Sequence, residues 1–415
     1  STQIGTIEEL NSLRAYNFVL TVTMWAAFVA PFWLNRASYD RGFRLAMDVT
    51  TFVLIVIGIY FLVGVISDPS SAAAYLRNIV APFLLFQIFA LVAYRHRVSM
   101  MAAFVLLAIV ALIYGHLELF AHVQLLSLVN GDTYIKWRIK QDYDSGLWLR
   151  DMQETGRVMR SYLDTLLVDF LNTPFFQSLG LRVYRVVGPN FHSISFAYAL
   201  AFFAIVLFAI GQWWYLIAAL PLILVIGSKG ALVFMLLVTA GLVLMRHFRG
   251  IWTLYLYLLV LVAFAVVGII TGIQTQDYHV IGFIGGLNGF LSNPLGHGIG
   301  AGGNLSLNQA AINWGQSQHL GHTDVAVESA VGVLLYQVGI FGIVILAALG
   351  WVAAKLWKLY RRTGDRLYAA GALGLITIAV NGIFQEEALF APLAFGMLAA
   401  LAGLLLGRAY RTVST

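Results

Sequence analysis

The 415-residue sequence has no cysteine, only eight prolines and little charge: 25 Lys and Arg against 19 Asp and Glu, 11% of the chain. Without cysteine there are no disulfides, no thiol catalysis and no cysteine-ligated metal, although the compartment is left open. The scarcity of charge excludes more. A soluble domain carries about 25% charged residues. A chain that is 60% hydrophobic, with a mean hydropathy of +0.84, cannot coat a water-facing surface. Lipid is therefore its expected solvent. The short alternating segments of a membrane β-barrel are also missing, as are internal repeats, low-complexity tracts, a soluble domain and a cleavable signal peptide. The first residue is Ser rather than Met, so a preceding piece is expected. The net charge of +6 is modest, and no nucleic-acid partner is expected.

What is present is a series of long apolar runs, near residues 17–34, 48–67, 77–95, 99–119, 191–210, 212–228, 230–245, 251–272, 327–354, 367–385 and 388–407. Each is at or near the roughly 20 residues a spanning helix needs. They predict an all-α polytopic membrane protein with about eleven transmembrane helices, ten to twelve in range, forming a single transmembrane domain over 1–415. Basic residues cluster in the short connections: Arg36, Arg41 and Arg44; Arg95, His96 and Arg97; Arg246 and Arg249; Lys355, Lys358, Arg361, Arg362 and Arg366; Arg408 and Arg411. With these spans all the clusters fall on one side, which the positive-inside rule makes cytoplasmic. The C-terminus then lies inside and the N-terminus outside, the latter assignment reversing if a helix precedes Ser1. Two long loops, at 120–190 and 273–326, lie outside. Within the first, residues 147–171 carry apolar side chains at helical spacing and predict an amphipathic helix on the membrane surface or over a cavity.

Four features on the outer side carry possible chemistry. Arg182 and Arg185, in Arg182-Val-Tyr-Arg185-Val-Val-Gly188-Pro189-Asn190, can share a helical face and fork onto phosphate oxygens; the plainer reading is two interfacial arginines snorkelling to headgroups. Lys229, in Gly227-Ser228-Lys229-Gly230, is a charge at the edge of an apolar region, where charges mark sites, or it is a turn residue reaching water. The run from Asn293 to Gly303, containing His297, could bring backbone N–H groups close to an anion; composition alone favours a flexible loop. The segment His319-Leu-Gly-His322-Thr-Asp324-Val-Ala-Val-Glu328-Ser329 opens a span. Glu328 there is either a helix-dipole partner or a general base at the water–membrane boundary. His319 and His322 have the spacing of a weak metal pair with no third ligand in view, so no metal is expected. Arg157 and Arg160, on the amphipathic stretch, are further candidates. Together these residues suit an anionic, pyrophosphate-bearing lipid substrate.

At these positions the sequence resembles the bacterial O-antigen polymerase and O-antigen ligase superfamily, whose members carry an arginine segment before a span, a Ser-Arg-Gly-like turn, an Asn-Pro-x-x-Gly-x-Gly-x-Gly segment, and a His or Glu ahead of Gly-x-x-Gly. Here these read Arg182 to Asn190, Ser228-Lys229-Gly230, Asn293 to Gly300, and Glu328-Ser329 before Gly339-Ile-Phe-Gly342, covering roughly 180–345. The resemblance implies a metal-independent, cofactor-free glycosyltransferase of the bacterial inner membrane. Its active site would face the periplasm, acting on an undecaprenyl-diphosphate-linked oligosaccharide. It implies that Arg182, Arg185 and Lys229 hold the diphosphate and that Glu328 stands where ligases have His. Glu at that place favours a polysaccharide polymerase. His322, six residues earlier, keeps a ligase acting on lipid A–core as the alternative. A partner controlling chain length is left open. Lys229 replaces the forked Arg of the family by a point charge. A transporter of a lipid-linked anion is the reading from another class. It needs charges deep within several helices, whereas Glu118, Lys229, Glu328, Glu386 and Glu387 all lie near span ends.

Overall fold

The computed structural model describes residues 7–98, 101–144, 153, 165–172, 176, 178–248 and 251–414. Among these the protein is helical apart from one two-stranded ribbon. Seven helices are long and apolar enough to cross a membrane: Tyr16–Leu34, Arg41–Ser67, Pro69–Arg95, Met101–Phe120, Ile251–Thr275, Ile340–Thr363 and Pro392–Arg411. The other predicted spans correspond to shorter apolar helices, Ser193–Ala209, Trp214–Ile226, Lys229–Met245 and Arg366–Asn381. At 1.5 Å per residue, helices of this length reach roughly 20–25 Å, short of a hydrocarbon core of about 30 Å. Large apolar side chains lie exposed along the long helices, Leu34, Leu62, Ile66 and Leu259 among them, as a hydrocarbon solvent requires.

Aspartates mark the helix starts. Asp40 accepts from the Gly42 and Phe43 amides, Asp68 from Ser70 and Ser71, and Asp277 from His279. Each satisfies N–H groups that the first helical turn leaves unpaired.

Two sequence expectations are corrected, and the content of one predicted loop is filled in. The predicted span 327–354 is two helices, Ala330–Val338 and Ile340–Thr363, broken at Gly339 (φ 61°, ψ −138°). The break is built in: the Ile340 amide donates to the Pro294 carbonyl at 2.8 Å, and a Cβ on Gly339 would collide with that same carbonyl. The predicted loop 273–326 contains an apolar helix, Tyr278–Ser292. The predicted amphipathic helix 147–171 does not continue through its last residues. There Leu167–Asp169 is a strand, paired antiparallel with Arg182–Tyr184 in the register Leu167↔Tyr184, Val168↔Val183, Asp169↔Arg182. Valine and tyrosine at paired positions favour the ribbon. Most of 147–164, with Arg157 and Arg160, lies outside the described residues.

The chain divides into two compact units. The first comprises Ser1–Asn17, Met101–Ala204 and Trp213–Leu232, and the second Phe18–Met100, Ile205–Gln212 and Val233–Thr415. In the first, the helices His122–Leu128 and Gly131–Asp144 and the ribbon follow the Met101–Phe120 helix. A small core of Leu126, Ile135 and Val187 gathers Leu166 and Phe191 around it. In the second, the Met397–Ser414 helix lies against Pro69–Arg95. Gly403 and Gly407 there meet the Phe86 and Ala90 carbonyls so closely that a Cβ would collide with either. Small residues at such crossings are how helices approach in lipid. Buried Gln87 adds polar glue, donating to Thr50 (2.8 Å) and Thr51 (2.9 Å) and accepting from Trp25 (2.7 Å).

Candidate functional site

In the first unit the arginine segment is fixed at both ends. Arg182 sits in the ribbon, exposed, with Nε 3.3 Å from Asp169 Oδ1. Arg185 follows the strand, its amide donating to the Leu166 carbonyl (2.7 Å) and its Nε to the Ile226 carbonyl (2.9 Å). The two arginines therefore do not share a helical face as their spacing predicts; the segment is extended. Beyond them, the buried Glu118 carboxylate accepts from the Val187 amide (2.7 Å) with one oxygen and the Gly188 amide (2.9 Å) with the other. Sequence reasoning gave Glu118 no role. A carboxylate at the end of an apolar run, in a chain so poor in charge, was the available signal.

The Ile226 carbonyl that Arg185 caps ends the Trp214–Ile226 helix. Gly227 turns left-handed there (φ 71°), and Lys229 begins the next helix. The structure thus brings Arg185 to the Gly227-Ser228-Lys229 turn. Lys229 is exposed, and a cation at a helix start is disfavoured by the helix dipole unless an anion joins it. Ser228 beside it is buried, and its hydroxyl has no partner among the described residues. His122, one turn after Glu118, stacks on Tyr184 (5.3 Å, 17°). Burial pushes the His122 pKa down and Glu118 opposes that shift.

The second unit holds Glu328. It lies just ahead of the Ala330–Val338 helix, whose N-cap Ser329 accepts from the Gly332 amide (3.1 Å) and donates to the Gly382 carbonyl (3.2 Å). Glu328 itself has φ 60°, a left-handed conformation that costs roughly 1–2 kcal/mol in any residue with a Cβ. Such an outlier persists only where its surroundings hold it, and it is a pointer to function. Two bonds hold it: the Ser329 amide donates to the Val327 carbonyl across it (2.7 Å), and its own amide donates to the Asn304 side-chain oxygen (3.0 Å). The carboxylate is about one-fifth exposed, with Oε2 3.5 Å from His279 Nδ1; the same nitrogen lies 3.3 Å from the Glu328 carbonyl. His279 is in the first turn of Tyr278–Ser292, with Asp277 capping its amide.

The imidazole beside Glu328 is therefore His279, which sequence reasoning missed. His322 turns Nδ1 toward the Thr323 carbonyl (3.3 Å), and His319 is exposed in the last turn of Trp314–Leu320. His297 stacks on Tyr336 (4.1 Å, 11°) with its Nδ1 and its amide both on the Tyr336 carbonyl (3.0 Å each). That is an anchoring role. Among the described residues no three histidine or carboxylate side chains converge as a metal site would need.

No family model matches this chain, and no curated protein matches it.

The glycine-rich run is neither the flexible loop nor the open anion cradle that composition allows. Gly298, Ile299 and Gly300 are buried, and the Ile299 amide donates to the Tyr60 carbonyl (3.0 Å). At Gly298 (φ 93°) a Cβ would stand 2.8 Å from the Gly64 nitrogen, and at Gly300 (φ 91°) 2.5 Å from the Ala72 nitrogen. The glycines are there because backbone passes against backbone.

Beneath Asn304 is Glu386, a second residue the sequence left unassigned. It is buried in the connection after the Arg366–Asn381 helix. Its Oε1 takes the Tyr75 hydroxyl at 2.5 Å, and its Oε2 the Asn304 amide at 2.9 Å. Burial pushes its pKa from the ordinary 4.5 up to about 8. The hydrogen bonds from Tyr75 and Asn304 oppose the shift, and Glu387 and Glu328 add to it. The folded protein then holds a proton that the unfolded chain releases near the ordinary value. The stability from this group is complete at acid pH and is lost as pH rises through about 8. The thermal unfolding midpoint in detergent is expected to fall between roughly pH 5 and pH 9. Glu386→Gln is expected to flatten that slope, and an unchanged slope in the variant would remove Glu386 as its source.

Proposed function

We propose that this chain is a bacterial cell-surface polysaccharide polymerase. It would be an inner-membrane glycosyltransferase joining undecaprenyl-diphosphate-linked oligosaccharide repeat units at the periplasmic face and releasing undecaprenyl diphosphate. The observation that carries the reading is Glu328: a partly exposed carboxylate on a left-handed backbone at a helix mouth, with the His279 imidazole against it. Glu328 takes the proton of the acceptor hydroxyl as that oxygen attacks the anomeric carbon. The bond from the anomeric carbon to the diphosphate breaks, and its electron pair leaves on the diphosphate oxygen. Charge developing there needs fixed cations. The family resemblance assigns that role to Arg182, Arg185 and Lys229, which belong to the first unit, whereas the reading of Glu328 stands on the second unit alone. Within the first unit, Arg185 and the Lys229 turn adjoin. In this reading the chain crosses the membrane about eleven times, with its C-terminus in the cytoplasm.

The test is reconstitution. Purified protein is mixed with a synthetic undecaprenyl-diphosphate oligosaccharide and EDTA, with no second acceptor. A ladder of longer glycans is expected. Transfer that starts only when lipid A–core is added would make the protein a ligase. Movement of the lipid across liposomes without any transfer would make it a transporter.

A further inference from the structure

Glu386 has no place in the chemistry just described, yet it is the most enclosed carboxyl in the second unit. Its two oxygens are spent on a phenol and a backbone amide. The phenol of Tyr75 is itself fully buried and also accepts the Leu305 amide at 3.0 Å. Consecutive amides, Asn304 and Leu305, are therefore gripped by the Glu386–Tyr75 pair. On either side the same segment is tied down again. The Gly303 amide donates to the Ala326 carbonyl (2.7 Å), and Gln337 donates to the Gly302 carbonyl (2.7 Å). A Cβ at Gly303 would collide with the Tyr75 hydroxyl, so the segment lies directly on the pair. The side chain of the gripped Asn304 is the acceptor for the Glu328 amide.

We infer that Glu386 and Tyr75 are positioning residues: a buried carboxyl–phenol clamp on residues 303–305 that, through the Asn304 side chain, keeps Glu328 in its left-handed conformation. The inference rests on the reading of Glu328 as the base only for its consequence on rate; the clamp itself is a statement about backbone order. Neutral or ionised, each carboxyl oxygen of Glu386 keeps a lone pair, one for the Tyr75 hydroxyl and one for the Asn304 amide, while the Tyr75 oxygen accepts the Leu305 amide. The remaining acidic groups that act on Glu386 are Glu387 and Glu328. Neither is a hydrogen-bond donor to it when ionised, so neither can substitute for Tyr75.

The experiment compares hydrogen–deuterium exchange and polymer synthesis in the full-length protein in lipid nanodiscs. Tyr75→Phe and Glu386→Ala are expected to speed exchange of peptides covering 302–306 and 325–330 by about tenfold or more, while the Arg366–Asn381 helix keeps its protection. Asn304→Ala is expected to speed exchange at 325–330 more than at Leu305, because it cuts only the last link. In all three the rate of glycan addition falls at saturating substrate with KM little changed, since no substrate-binding group has been altered. Exchange at both segments equal to the parent protein in Tyr75→Phe overturns the clamp. Tyr75→Phe decides should Glu386→Ala fail to fold. Faster exchange with an unchanged rate keeps the clamp and removes Glu328 as the base.

Discussion

Glu328→Gln is expected to leave a folded, membrane-inserted protein that extends lipid-linked glycan on the order of 10²–10⁴-fold more slowly, the usual contribution of a general base. The substitution keeps size and hydrogen-bonding reach and removes only the ability to take a proton. Glu328→Gly separates chemistry from stability more sharply. It deletes the carboxylate and also releases the left-handed backbone at φ 60°. The expected result is an inactive protein that is more stable by about 1 kcal/mol. Chain-length analysis together with an unfolding midpoint checks both halves. An active Glu328→Gly protein would dismiss the carboxylate, and a destabilised one would mean that the side chain holds the mouth of the helix together. His279→Ala is expected to fall further in rate than His322→Ala, because His279 reaches the Glu328 carboxylate whereas His322 turns to the Thr323 carbonyl.

The second large effect is expected far along the sequence from this carboxylate. Glu118→Ala strips the acceptor from two successive amides, Val187 and Gly188, at a position with no access to water. Each buried donor left unsatisfied costs about 1–3 kcal/mol, so a loss of roughly 2–6 kcal/mol is expected for the two, large against the marginal stability of a protein. Glu118→Gln recovers only part of it, since its one oxygen can accept while its NH2 group faces a second donor. The loss would be read as a lower denaturation midpoint in detergent. With the segment after Arg185 unanchored, apparent affinity for the lipid-linked donor should weaken as well. A Glu118→Ala protein with the parental midpoint would show that water or a neighbouring group replaces the carboxylate.

How much of this could be read in advance depended on the physical rule involved. The apolar helices were legible because bilayer thickness sets a minimum length for an apolar run, and no other constraint on the chain is as simple. The Tyr278–Ser292 helix escaped because its 15 residues, Gly282, Gly285, Gly286 and Gly289 among them, fall short of the roughly 20 that a spanning run needs. Those same glycines are what let it pack against the helix mouth, with Gly282 against the Val327 carbonyl and Gly286 against Gly332. Arg182 and Arg185 were read at helical spacing, although Val183 and Tyr184 between them are strand formers. Glu328 was legible as a carboxylate opening a span. Its imidazole partner was not, because His279 lies 49 residues away in the sequence and the pairing exists only once two helix starts are brought together. Glu386 and Glu118 were visible as charges at span ends, but nothing local says that one grips Asn304 and the other Val187 and Gly188.

The Tyr75–Glu386 bond joins residues 311 positions apart. At a synthesis rate of about 5–20 residues per second, Glu386 leaves the ribosome roughly 15–60 s after Tyr75. Asn304 and Glu328 emerge in between. The grip on Asn304 thus forms only after Glu386 has been made, and a nascent chain stopped between Glu328 and Glu386 lacks it. Under the proposed function such a chain would lack a fixed base, and lipid-linked substrate meeting it would be left untouched.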